Sequence, residues 1–175
     1  MNRLSKEQQE EWLPIVDETG VVINKAPRSL CHSGAKLLHP VVHLHIYNQQ
    51  GDIFLQKRSM SKRLLPGKWD TAVGGHVSFG ETIEEALKRE ASEELGMNHF
   101  EFQLIGQYLW ESEREKEFVY SFFCKHYDQI QINNDEVDEG RFWSEEEIEK
   151  GIQEGTVTPN FSYEYRHLKL SKPRC

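Results

Sequence analysis

Between Gly75 and Gly96 the chain reads GHVSFGETIEEALKREASEELG, and the spacing of its glycines and charges constrains it more tightly than any other stretch. Gly75 is followed by Glu81, then Arg89-Glu90, Glu93-Glu94 and Gly96, separated by five, seven, two and one residues. At ordinary residue usage, seven such matches arise by chance on the order of once in 10⁸ positions. The spacing therefore reflects chemistry. Thr82 with Glu85 three residues later is a capping-box signature, so a helix is expected to open here and close at Gly96. Ile83, Ala86 and Leu87 share one face at helical period, which should look into the core. Glu90, Glu93 and Glu94 project over nearly the same arc. Three inward carboxylates repel one another and lose hydration, at several kcal/mol unless a cation sits among them.

Hard divalent cations are the natural compensation, and Mg²⁺ in particular shares its shell with phosphate oxygens. Arg89 falls at four-residue spacing from both Glu85 and Glu93, so it is expected to hold a ligand carboxylate in place. Gly74, Gly75 and Gly80 let the preceding loop fold tightly and approach a metal or phosphate closely. A solvated, charge-laced helix explains most Glu-rich segments. Here the carboxylates lie on the apolar side and glycines bracket them at fixed offsets.

The segment resembles the box of the Nudix family, G-x5-E-x7-R-E-U-x-E-E-x-G-U with U apolar, and Ala91 and Met97 fill the two U positions. The resemblance implies an α/β/α sandwich with a mixed β-sheet. It also implies Mg²⁺- or Mn²⁺-dependent cleavage of a diphosphate joined to another group. Carried over, Glu90, Glu93 and Glu94 bind the metals, with the Gly74 carbonyl a further ligand. Metal-ion logic then applies: cations offset developing charge and lower the pKa of the attacking water. Glu93 is the residue expected to take the proton, with an acid outside the box as its rival.

From about Trp12 to Leu168 the order of elements also resembles isopentenyl-diphosphate isomerase, a branch of the same superfamily. The shared residues are His32 and His39, the run KRSMSKRLLPGKW from Lys57 to Trp69, GGH ending at His76, and QINNDEV from Gln131 to Val137. That resemblance implies a second metal site at His32, His39, His76, Glu115 and Glu117, and diphosphate contacts from Arg58 and Lys62. His and carboxylate ligands suit Zn²⁺, Mn²⁺ or Mg²⁺. At this level a bland reading stays open. His39, His43 and His45 alternate on one strand face where backbone groups would satisfy them, and ESEREKE is charged throughout. His43, His45, His99, His126 and His167 carry no motif and are expected to be structural or superficial. Two departures argue against isomerisation: Gly74 stands where the isomerase has its proton-transferring cysteine, and Glu90 where it has arginine. Hydrolysis of a small phosphorylated metabolite, such as a nucleoside diphosphate derivative, is the expected reaction. An isomerase-like enzyme and a nucleotide-sensing module without turnover are the alternatives.

The remaining properties set boundaries. A single domain is expected for 175 residues. The net charge of −8 opposes a nucleic-acid polymer as partner, whereas bound cations would admit a small diphosphate. Cys31, Cys124 and Cys175 show no paired spacing, which suits a reducing cytoplasm. The start, MNRLSKEQQEEW, is polar, and no apolar run approaches the ~18 residues of a membrane helix. Hairpins are expected at Trp12 to about Asn24–Lys25 and at Val41 to Arg58, and a short strand from Thr71 to Val77. Phe102 to Trp110 should pair with Phe118 to Tyr127, and Gly140 to Trp143 forms the last strand. C-terminal helices are expected from Ser144, capped by Glu147, to about Gly151, and from Phe161 to Leu170. This order supports a mixed sheet flanked by helices.

Overall fold

The computed structural model describes residues 10–171. Cys175 and most of the polar N-terminal start lie outside the described residues. The chain opens with an antiparallel pair, β1 (Trp12–Val16) and β2 (Val22–Pro27), as the sequence predicts. Its turn is held by Asp17, whose Oδ1 accepts from the backbone N–H groups of Thr19 and Val21, with Gly20 at φ +86°. A short turn of helix, α1 (Arg28–Cys31), follows without any pattern that announces it.

The frame of the molecule is a four-stranded mixed sheet in the order β6-β3-β8-β7. Its centre, β3 (Leu38–Ile46), pairs antiparallel with β6 (Val73–His76) and parallel with β8 (Lys116–Cys124). β8 pairs in turn with β7 (Gln103–Glu111), the antiparallel partner expected of it. A three-stranded sheet, β5-β4-β9, combines β5 (Trp69–Thr71), β4 (Ile53–Arg58) and β9 (Val137–Trp143).

The expected hairpin from Val41 to Arg58 forms only at its neck, as a single bridge from Tyr47 to Ile53. Both edges of β3 are already taken by β6 and β8, so β4 has no free edge to join and leaves for the other sheet. The strand expected from Thr71 to Val77 likewise splits at Ala72, β5 serving one sheet and β6 the other.

Helix α2 (Ile83–Leu95) has the predicted capping box, Thr82 with Glu85, and ends at Gly96 in the left-handed conformation. Its buried Ala86, Leu87, Ala91 and Leu95 pack on Val42, Leu44 and Ile46 of β3. Helix α3 (Glu145–Glu154) has its Ser144–Glu147 box but runs on to Gly155. Gly151 does not stop it, being buried against Trp143 and Val157 instead. Helix α4 (Pro159–His167) is capped by Thr158. Phe161 and Tyr165 of α4 join Ile148 of α3 in a second core with Tyr47, Leu55, Phe123 and Trp143. Side chains alternate across β3, so even positions meet α2 while His43 and His45 face α4. The result is the expected α/β/α sandwich around a mixed sheet.

Candidate active site

A cavity of about 640 Å³ opens beside β6, between α2, the end of β4 and the β7–β8 turn. Glu90, Glu93 and Glu94 all line it, as do Gly74, Arg58 and Lys62. Glu94 is the deepest of the three acids. Its Oε2 accepts from Gln56 Nε2 at 2.9 Å and from the Gly74 N–H at 3.4 Å. Burial, then the charge of Glu90, push its carboxyl up to about 8. Burial also raises Glu90. A Cβ at Gly75 would overlap the Glu90 carboxyl, so the glycine is required by how closely strand and helix approach. Glu93 behaves differently. Its side chain is 57% exposed and faces the cavity from the rim, where Arg89 lies 3.4 Å from it. The inward arc thus holds two acids and the third stands at its edge.

Arg89 holds Glu93, as its spacing predicts, but does not reach Glu85. Glu85 is committed to the capping box, where its carboxylate accepts the Thr82 N–H. Arg89 instead donates twice to Glu81, at 2.8 and 3.0 Å, and once to the His76 carbonyl at 3.0 Å. It also donates to Glu90 at 2.8 Å. Glu81 accepts the Ser78 N–H, so one ion pair ties loop, strand and helix around the acids.

A second group gathers at the other end of β6. One ligand atom each from His32, His39, His76 and Glu115 lies within 4.8 Å of the rest. The Nε2 atoms of His32 and His76 are 2.9 Å apart, and Glu115 Oε2 is 3.5 Å from His32 and 3.8 Å from His39. His39 is fully buried, anchored through Nδ1 to the Leu37 carbonyl, and its Nε2 has no hydrogen-bond partner among the described residues. Burial lowers the pKa of His39, and burial with the Arg28 charge lowers that of His76 well below the usual imidazole value. Three imidazoles with a carboxylate and an orphaned ring nitrogen fit a divalent cation. Glu117 lies outside this foursome but interacts with Glu115, and burial, then Glu115, push it up to about 8.

The two expected phosphate contacts are near the cavity but engaged. Arg58 donates to Asp70 at 3.3 Å and to the Leu64 carbonyl, while Lys62 lies 3.9 Å from Glu136. Trp69 packs edge-on against Trp143 and belongs to the core. Gln56, Asp70, Arg28 and Asn160 also line the cavity and escape the sequence reading. Gln56 had a signal, standing two residues before Arg58 on the same strand face. Arg28 and Asn160 had none, since separate helices deliver them.

Residues 37–161 match the NUDIX domain family model. The chain belongs to the Nudix family. A protein from Yersinia pestis named as an uncharacterized Nudix hydrolase is 34% identical over 146 residues, covering 83% of this chain and 80% of its own. The solved structure of DR0079 from Deinococcus radiodurans has a TM-score of 0.71 and 25% identity, covering 85% of this chain and 92% of that one. An isopentenyl-diphosphate Delta-isomerase from Leifsonia xyli subsp. xyli is 35% identical over 86 residues, 49% of this chain and 46% of the isomerase. The likeness to the isomerase is partial; that to Nudix hydrolases spans most of the chain. This Nudix protein is a hydrolase of the class that acts on diphosphate and other acid-anhydride linkages, a family that generally uses divalent metal ions. No helix among the described residues is long and apolar enough to cross a membrane.

Proposed function

We propose that this hydrolase cleaves the diphosphate linkage of a small phosphorylated metabolite with Mg²⁺ or Mn²⁺ bound at the box. The observation that carries the reading is Glu94: a carboxyl driven into a cavity beside Glu90, with the backbone of Gly74 against it. Such crowding of acids is unfavourable until cations compensate it. Bound there, divalent cations would offset charge on the diphosphate and lower the pKa of the attacking water. In this reading Glu90, Glu93, Glu94 and the Gly74 carbonyl hold the metals. Glu93, the solvated acid at the rim, takes the proton from water, and Arg89 fixes Glu90 and Glu93. Arg58 and Lys62 exchange their carboxylate partners for phosphate oxygens when substrate enters. Glu94→Gln is predicted to abolish Mg²⁺-dependent release of phosphate or monophosphate, assayed across nucleoside diphosphate derivatives, nucleotide sugars and isoprenoid diphosphates. Full turnover by that variant would remove the box from the mechanism.

The His32, His39, His76 and Glu115 group supports a second reading, isomerisation of an isopentenyl diphosphate with the metal there. Gly74 supplies no side chain to move a proton at carbon. NMR of the substrate is therefore predicted to show no migration of its double bond, and migration would reinstate the isomerase reading.

A further inference from the structure

Asn160, in the first turn of α4, lines the cavity. Thr158, the cap of that helix, donates through Oγ1 to Asp70 at 2.9 Å, and Asp70 is the carboxylate that Arg58 holds. Asn160 therefore belongs to the wall next to Arg58, beyond the box acids. Its amide is not free to turn. The Tyr108 hydroxyl lies 2.7 Å from Asn160 Oδ1 and 2.5 Å from Glu164 Oε1, so one proton serves both oxygens in a three-centre contact. Glu164 is itself fixed, fully buried one helical turn after Asn160, with the Ser121 hydroxyl donating to its Oε2 at 3.1 Å. With Oδ1 engaged, the polar atom that Asn160 has left for the cavity is Nδ2, which carries two donors.

The character of the wall says what those donors meet. Among the described residues no Phe, Trp or Tyr lines the cavity, and Val41 and Leu64 are its only apolar side chains. A base would find no such ring to stack on, and an isoprenoid chain little apolar surface to cover. Thr71, beside Asp70 and also lining the cavity, keeps its Oγ1 buried with no hydrogen-bond partner among the described residues. Donors and acceptors set side by side in this way suit a group of neighbouring hydroxyls, each of which both gives and accepts. We propose that Asn160 is a specificity-determining residue, its Nδ2–H groups donating to a hydroxyl oxygen of a sugar joined to the diphosphate, with Tyr108 and Glu164 the positioning residues that hold its amide. This rests on the hydrolytic reading above and names the other half of its substrate. A substrate lacking that hydroxyl would leave the amide desolvated and unpaired, which is how such a site discriminates.

The test is calorimetry on the full chain with Mg²⁺ and two uncleavable probes, ribosyl methylenediphosphonate and methyl methylenediphosphonate, which differ in the sugar alone. The wild type should bind the ribosyl probe about tenfold more tightly or better. Asn160→Leu should bring that ratio to within about twofold, most of the loss falling on the ribosyl probe. Tyr108→Phe, which frees the amide to turn, should cut the ratio about threefold, and the double variant should lose no more than Asn160→Leu alone. A merely structural role for Tyr108 would weaken both probes alike, and would remove it from the proposal's positioning chain. Equal affinities of the wild type for the two probes would overturn the proposal whether or not any variant folds, as would a ratio retained in Asn160→Leu. Binding of the methyl probe tests the hydrolytic reading separately: its absence would defeat that reading and this proposal with it.

Discussion

Glu94 shows at the level of one residue why this chain would hold a cation. Its carboxyl is pushed up to about 8 by burial and by Glu90, and Glu117 is pushed to about 8 by burial and Glu115. The sign follows directly. Below about 8 the metal-free protein keeps protons on these groups, a metal binds only the ionised carboxylate, and binding therefore expels protons. Metal affinity should rise with pH from 6 to 8 and level off above it. Isothermal titration of Mg²⁺ or Mn²⁺ at pH 7 in buffers of different ionisation enthalpy should register that release, and Glu94→Gln should diminish it. A buffer-independent enthalpy would contradict the assigned protonation. Residues whose chemistry dictates local spacing were legible in the sequence: Glu90, Glu93, Glu94, Gly74 and Gly75 all reach the cavity region from within one strand–loop–helix unit. Arg89 was legible as a clamp on Glu93, but its anchor Glu81 was not, and Glu85 is consumed by the helix cap instead. Glu164 was illegible. It meets His43 across 121 positions of sequence, and no local period encodes such a contact.

At the scale of elements, caps and apolar periods carried most of the information. Both capping boxes are formed where their Ser/Thr-x-x-Glu spacing lies, at Thr82 and Ser144. Thr82→Ala is predicted to destabilise the protein by about 1 kcal/mol in urea unfolding, since Glu85 would lose its N–H acceptor at the first turn of α2. Glu90, Glu93 and Glu94 lie about two turns or more further on, so kcat should change little. A large fall in kcat with unchanged stability would show that the cap acts on the site. Elements went astray where long-range pairing overrode local pattern. The β3–β4 turn has good hairpin chemistry, with Asn48 Oδ1 accepting from Gln50 and Asp52 N–H groups, yet the strands separate beyond it. Occupied edges decided that outcome. Gly151 read as a stop for α3, but a buried glycine beneath Trp143 lets a neighbour approach, and the helix continues to Gly155.

Across the whole molecule, an acidic group and a histidine-rich group share one strand. β6 carries Gly74, Gly75 and His76 in succession, placing the box carboxylates on one side and the His32, His39 and Glu115 group on the other. That arrangement was legible only as two motifs meeting at GGH; their common cavity needed β3 to pair with both β6 and β8. A net charge of −8 with acids lining the cavity makes entry of a diphosphate unfavourable until cations are present. Metal and substrate should therefore bind interdependently. The most direct test is anomalous diffraction from a crystal soaked in Mn²⁺. The account predicts manganese peaks within coordination distance of Glu90, Glu94 and the Gly74 carbonyl, with Glu93 drawn in from the rim. Empty density there, with the three acids turned to solvent, would contradict it.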